Sequence, residues 1–232
     1  MKAKTLLLLA AGLAGINSVY AHDVWLEYKN GEYELVYGHV DELETLEPEK
    51  VRVIRGFSNN GKELDIQTQS GTNSMKVKSK SRPGMITINY DNGFWTKTGP
   101  TTWENQSKRN FPEYLDASHS LKFNKNLMAW HDDFKKPTGQ RFEIVPLESP
   151  LKGKNKDSVK IQVLYDGEPL ADAAVEVNGL DDSFKTDKRG QVRVSLNGAR
   201  SLQYIAAYHR YKLPGHLDAD EISLSANLVF QR

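Results

Sequence analysis

Short alternating segments dominate the chain. Met75 and Val77 alternate with Lys76 and Lys78, and Ile86 and Ile88 with Thr87 and Asn89. A period of two puts one set of side chains on each face of a strand, so these segments predict half-buried β-strands. Tyr33–Tyr37, Val51–Ile54 after Pro48, and Phe142–Val145 extend the series. Asp91-Asn92-Gly93 reads as a turn closing the Met85–Tyr90 strand. From Thr101 to Phe123 the pattern lapses. Trp103, Phe111, Pro112, Tyr114 and Leu115 stand among scattered charges and predict a loop, with a short helix near Pro112–Ala117.

Pro146–Asp157 carries two prolines, Gly153 and three lysines without apolar periodicity, which suits a linker. Beyond it Val159, Ile161 and Val163 alternate with Lys160 and Gln162, and Asp166-Gly167 turns the chain. Ala174–Val177, Gln191–Leu196, Leu202–Tyr208 and Ile222–Phe230 predict further strands. The expectation is an all-β protein of two β-sandwich domains, the second immunoglobulin-like. The first is a β-rich domain over 22–147, followed by a linker at 148–156 and the second sandwich over 157–232.

The start of the chain differs from the rest. Lys2 and Lys4 precede an apolar stretch from Leu6 to Ile16, and Val19-Tyr20-Ala21 gives the small-x-small pattern of a cleavage site. Residues 1–21 therefore read as a secretory signal peptide, and the expected location is the periplasm. Cleavage after Ala21 makes His22 the new N-terminus. It would then offer an α-amine and a ring Nδ1 that can close on one metal ion. The amine pKa of about 7.7–8.0 lets it deprotonate readily for a metal.

The leader holds two of the 31 basic residues and none of the 30 acids, so the 211 remaining residues carry a formal charge of −1. That balance supplies no global field for nucleic acid or an anionic membrane. No later apolar run approaches the ~20 residues that span a bilayer, so the mature chain is expected not to be membrane-embedded. The absence of cysteine excludes thiolate metal sites, thiol catalysis and a lipidated N-terminus.

Chemistry therefore centres on six histidines, since neutral imidazole suits Ni, Cu, Zn and Fe. His39 ends an alternating strand in Tyr37-Gly38-His39 and is followed by Asp41, Glu42, Glu44, Glu47 and Glu49, which read as a solvated acidic turn. His209 and His216 are offered by one strand and the loop beyond it. His131, beside Asp132 and Asp133, reads as an exposed turn, and His119 as surface. No nucleophile elbow, His-Glu-x-x-His helix or Walker loop occurs, and the chain is not expected to be an enzyme.

The opening Ala21-His22-Asp23-Val24-Trp25-Leu26-Glu27 resembles the exported NikK/NikM-associated periplasmic domain family linked to nickel and cobalt uptake. Tyr37-Gly38-His39, Gly93-Phe94-Trp95-Thr96 and Gly139-Gln140-Arg141-Phe142-Glu143-Ile144-Val145-Pro146-Leu147 are similar to its elements in the same order. Gly167-Glu168-Pro169-Leu170-Ala171, Ala174-Val175, Thr186-Asp187 and Gly190 resemble its Ig-like module, and Ser225–Phe230 its last strand. The resemblance implies a periplasmic protein that captures Ni²⁺ or Co²⁺, with copper or zinc as further candidates, and passes the ion to a membrane uptake transporter. Its ligands would be His22, His39 and His209, with Asp23 or another carboxylate assisting. Val24 departs from one pattern: the square-planar amino-terminal motif needs histidine at the third mature position. The alternative is a structural or interaction module that binds no metal. An oxidative copper enzyme would also need a polysaccharide-binding surface, which no residue pattern marks.

Overall fold

The computed structural model describes residues 22–39, 42–151, 157–196 and 200–231, with the backbone alone for 180–183. The expected signal peptide, Asp41 and positions 152–156 of the expected linker lie outside the described residues. The strands are β1 Asp23–Lys29, β2 Glu32–His39, β3 Glu42–Glu44, β4 Val51–Ser58, β5 Glu63–Leu64 and β6 Ile66–Ser70. Then come β7 Met75–Ser79, β8 Pro83–Lys97, β9 Trp103–Glu104, β10 Asp116–Leu127, β11 Phe142–Pro146 and β12 Ser158–Tyr165. The last are β13 Glu168–Pro169, β14 Ala174–Val177, β15 Leu180–Lys185, β16 Gln191–Ser195, β17 Leu202–Lys212 and β18 Glu221–Gln231. Short 3₁₀ turns are the only helical pieces among the described residues. The fold is all-β with packed sheets, as the alternation predicts.

A central sheet runs β15-β14-β17-β18-β10-β8-β4-β5, with β9 on the edge of β8. β10 and β18 pair in parallel, from Ser118 opposite Glu221 to Leu127 opposite Phe230. This pairing joins strands from both sides of the expected linker in one sheet. β11, which precedes the linker, pairs with β12, which follows it.

Both faces of the central sheet are covered. Ile222, Leu224, Ala226, Leu228 and Phe230 of β18 pack with Phe142, Ile144, Val159, Ile161 and Val163 of the β11–β12 sheet. On the other face, Ile86, Ile88 and Tyr90 of β8 pack with Val24, Leu26, Leu35, Tyr37, Met75 and Val77 of a smaller sheet, β1-β2-β7-β6. Removing such apolar surface from water stabilises the packing by about 25 cal/mol per Å².

Two local expectations need correction. Asp91-Asn92-Gly93 lies inside β8, where the pairing with β10 shifts register at Ser120/Leu121. The turn residues accommodate a bulge in a continuing strand. The helix near Pro112–Ala117 does not form; β10 begins at Asp116. Its alternation was hidden because Lys122, Asn124, Lys125 and Asn126 are all buried. A strand buried on both faces with polar groups satisfied internally does not display an apolar-in, polar-out signature.

Candidate metal centre

β1 and β2 pair antiparallel, with Asp23 opposite Gly38 and Val24 opposite Tyr37. The next pair in that register is His22 opposite His39. Their ring centroids are 4.5 Å apart, and the His22 ring lies 5.7 Å from that of Tyr37. Two imidazoles bound to one ion at about 2.0–2.1 Å per bond have centroids roughly 4.5–5 Å apart, so this spacing fits shared coordination. Tyr37 is buried, stacks on Tyr90 at 5.5 Å and reaches Asn92 Oδ1 at 3.4 Å, giving the rings a fixed floor.

Gly38 permits this geometry. Its φ is +131°, and a Cβ there would sit 2.5 Å from the Glu42 carbonyl oxygen. That close approach brings β3 back along β2, with Glu44 opposite Tyr37. Glu44 Oε1 then lies 2.8 Å from His22 Nε2. With Nε2 donating to the carboxylate, the lone pair of the neutral ring resides on Nδ1, the nitrogen nearest the backbone amine. Burial pushes His22 below the usual imidazole range; His39 and Lys122 act in the same direction, while Glu44 and Asp23 oppose. The ring is thus biased toward its neutral, metal-binding form at pH 7.

Asp23 is not placed to assist as a ligand. It is buried and accepts from Ser225 Oγ at 2.6 Å and from the Tyr204 hydroxyl, with Lys122 Nζ 3.7 Å away. Asn227 Nδ2 donates to the Tyr204 oxygen at 3.1 Å. These groups anchor the start of β1 to the central sheet. The outer edge of β1 is held similarly by side chains: Leu26 N–H donates to Asn126 Oδ1 at 2.9 Å, and Asn227 Nδ2 meets the Val24 carbonyl at 3.5 Å. Asn126 and Asn124 extend the ladder to Asn227. An asparagine row thus takes the place of a neighbouring strand.

His209 is not brought to His22 and His39. Tyr204, five positions earlier on β17, points to the β1 face, so strand alternation sends His209 to the opposite one. Its ring there is 5.0 Å from Tyr165 and 6.1 Å from Phe142. Burial lowers its pKa. His216 stands apart from His209, with its ring 6.3 Å from Phe94. His119, expected to be plain surface, meets Asp91 Oδ1 at 2.8 Å. His131 caps a 3₁₀ turn by accepting from Asp133 N at 3.2 Å. Among the described residues, no group of three or more His, Asp or Glu side chains is arranged to hold a metal ion. The side chains alone therefore supply a pair of imidazoles with an orienting carboxylate.

Sequence reasoning missed the separate role of Glu44, which stood undistinguished in an acidic run, and the anchor of Tyr204, Ser225 and Lys122. The β1–β2 register was the available signal for the histidine pair; nothing local marks residues about 200 positions away as partners of Asp23.

Among the described residues, no helix is long and apolar enough to cross a membrane. An uncharacterized protein of Haemophilus influenzae is 25% identical over 234 residues, covering 99% of each chain. No solved structure matches. A family model described as a domain of unknown function (DUF4198) matches residues 19–203, and the chain belongs to that family.

Proposed function

We propose that this is an exported protein that captures a divalent transition-metal ion at the processed N-terminus. The α-amine and Nδ1 of His22 would chelate the ion, and His39 would supply a second imidazole. The observation that carries this reading is the contact of Glu44 with His22 Nε2 at 2.8 Å beside the His39 ring. A metal-bound histidine commonly gives its other ring N–H to a carboxylate, which fixes tautomer and orientation. Signal-peptide cleavage would create the amine donor at the residue whose Nδ1 is left available. The donor set is nitrogen-rich and suits Ni²⁺, Co²⁺, Cu²⁺ or Zn²⁺. The motif resemblance favours Ni²⁺ or Co²⁺, with delivery to a membrane uptake system.

The ligand assignment is tested by titrating metal-free processed protein with Ni²⁺ in a calorimeter, alongside His39→Ala and His209→Ala. One-site binding weakened at least tenfold by His39→Ala and unchanged by His209→Ala is the expected result. Equal losses in both variants, or no loss in either, contradict it. No binding by the processed protein favours the metal-free interaction module.

A further inference from the structure

The other end of the β1–β2 hairpin has a different chemistry. There the chain turns through Asn30 and Gly31, and β7 passes into β8 through Lys80–Arg82. The ends of β10 and β18 and the start of β17 converge on the same place. Between them lies a groove of about 700 Å³. Sites for small molecules typically have volumes of about 300–1,000 Å³, so the groove is large enough for a compact organic ligand.

Its lining is asymmetric. The floor is apolar and includes Leu26, Val77, Leu127 and Phe230. One wall carries Tyr28 and Tyr33, whose ring centroids are 5.0 Å apart. Tyr28 is 62% exposed, so its ring face is open to a ligand. The rim carries Lys78, Lys80 and Arg82. Glu32 is the sole carboxylate among the described residues of the lining, and it is already bonded to Lys76 at 2.6 Å and Lys78 at 2.8 Å. Among the described residues no carboxylate lies within ion-pair distance of Lys80 or Arg82; the Arg82 charge stands near Tyr33. The groove therefore combines unneutralised positive charge with an aromatic wall and an apolar floor.

We propose that this groove binds a small organic carboxylate with an apolar or aryl body. The carboxylate pairs with Lys80 and Arg82. The body lies against Tyr28 and Tyr33 over Leu26 and Phe230. A planar guanidinium and a flexible ammonium together match a carboxylate by charge and hydrogen-bond geometry. Leu26, the lining residue nearest to His22 along β1, is four residues from it, roughly 13 Å at about 3.3 Å each, and Lys80 and Arg82 lie beyond Leu26 at the far end of the hairpin. It is thus distinct from the candidate metal centre.

The test is calorimetric titration of the processed protein with 1-naphthoate and with its neutral isostere 1-naphthamide. The expected result is saturable one-site binding of naphthoate, at least tenfold tighter than the amide. Lys80→Gln with Arg82→Gln should reduce naphthoate to the affinity of the amide, and Tyr28→Ala should weaken both ligands. No saturable binding at millimolar naphthoate overturns the proposal, as do equal affinities for the two ligands in the unmodified protein. Naphthoate binding that survives the double substitution unchanged also overturns it.

Discussion

At the scale of single residues, buried charge is concentrated where sequence pattern gave least warning. Lys125 and Glu143 are each 1% exposed and meet at 2.6 Å. Glu143 also accepts from Thr138 N at 2.7 Å, Thr138 Oγ1 at 2.8 Å and Gly139 N at 3.2 Å. Burial alone would raise its pKa, but Lys125 and these donors outweigh burial and hold it below the usual carboxylate range. Removing one partner of such a pair leaves an uncompensated buried charge. Lys125→Met is therefore expected to cost about 3–5 kcal/mol in urea unfolding. Adding Glu143→Leu should not restore full stability, because the Thr138 and Gly139 donors would then be orphaned. Full recovery in the double variant would show that the ion pair alone mattered. The histidines give a second residue-scale expectation. His209 has a lowered pKa in the folded state because of burial, so its unfolded form binds a proton first as pH falls. Its stabilising contribution is complete above the unfolded value of about 6.5 and declines as pH falls from there toward the lower folded value. The urea midpoint should thus fall between pH 7.5 and 5, and fall less in His209→Phe, which keeps a ring beside Tyr165. An identical decline in the variant would remove His209 from the cause.

At the scale of elements, legibility depended on which side chains a strand buries. β2, β7, β12 and β18 alternate apolar with polar residues or present long apolar runs, and their positions follow from the sequence within a few residues. β10 was illegible because it places Lys122, Asn124 and Asn126 under β1 and Lys125 against Glu143. Such polar positions read as solvent-facing until their partners are known, and those partners are distant in sequence. The pairing of His22 with His39 was partly legible, since both flank strands of one hairpin; the side of β17 that His209 faces was not. Gly38 connects element geometry to the site. Alanine there would need a positive φ, costing roughly 1–3 kcal/mol, and would also collide with the β3 backbone. Gly38→Ala is expected to lower thermal stability and to weaken metal binding, because β3 could no longer carry Glu44 to His22. A stable variant with unchanged metal affinity would show that the β2–β3 approach does not position the site.

At the scale of the whole molecule, strands from both sides of the linker-like segment at 148–156 pair in shared sheets. β18, near the C-terminus, lies between β10 and β17, while β11 pairs across the same segment. A fragment covering 22–147 would expose the β10 edge and strip β11 of its partner. Open edges of this kind favour association between chains. The fragment is therefore expected to aggregate or to lack dispersed amide signals in an NMR spectrum; a cooperatively folded monomer would establish an independent N-terminal unit. Integration of the two halves also explains how the start of β1 is held: Asp23 is bonded to Tyr204 and Ser225, so C-terminal strands fix the residue next to His22.

The central claim is that cleavage completes a metal chelate at His22. Its most direct measurement is Ni²⁺ titration of protein beginning at His22 against protein with one alanine left before it. The side chains of His22, His39 and Glu44 are identical in the two samples; only the amine donor moves. Tight one-site binding by the processed form, lost or weakened at least a hundredfold by the extra residue, is the expected result. Equal affinity in the two forms would contradict the chelate and leave the imidazole pair without the role assigned to it.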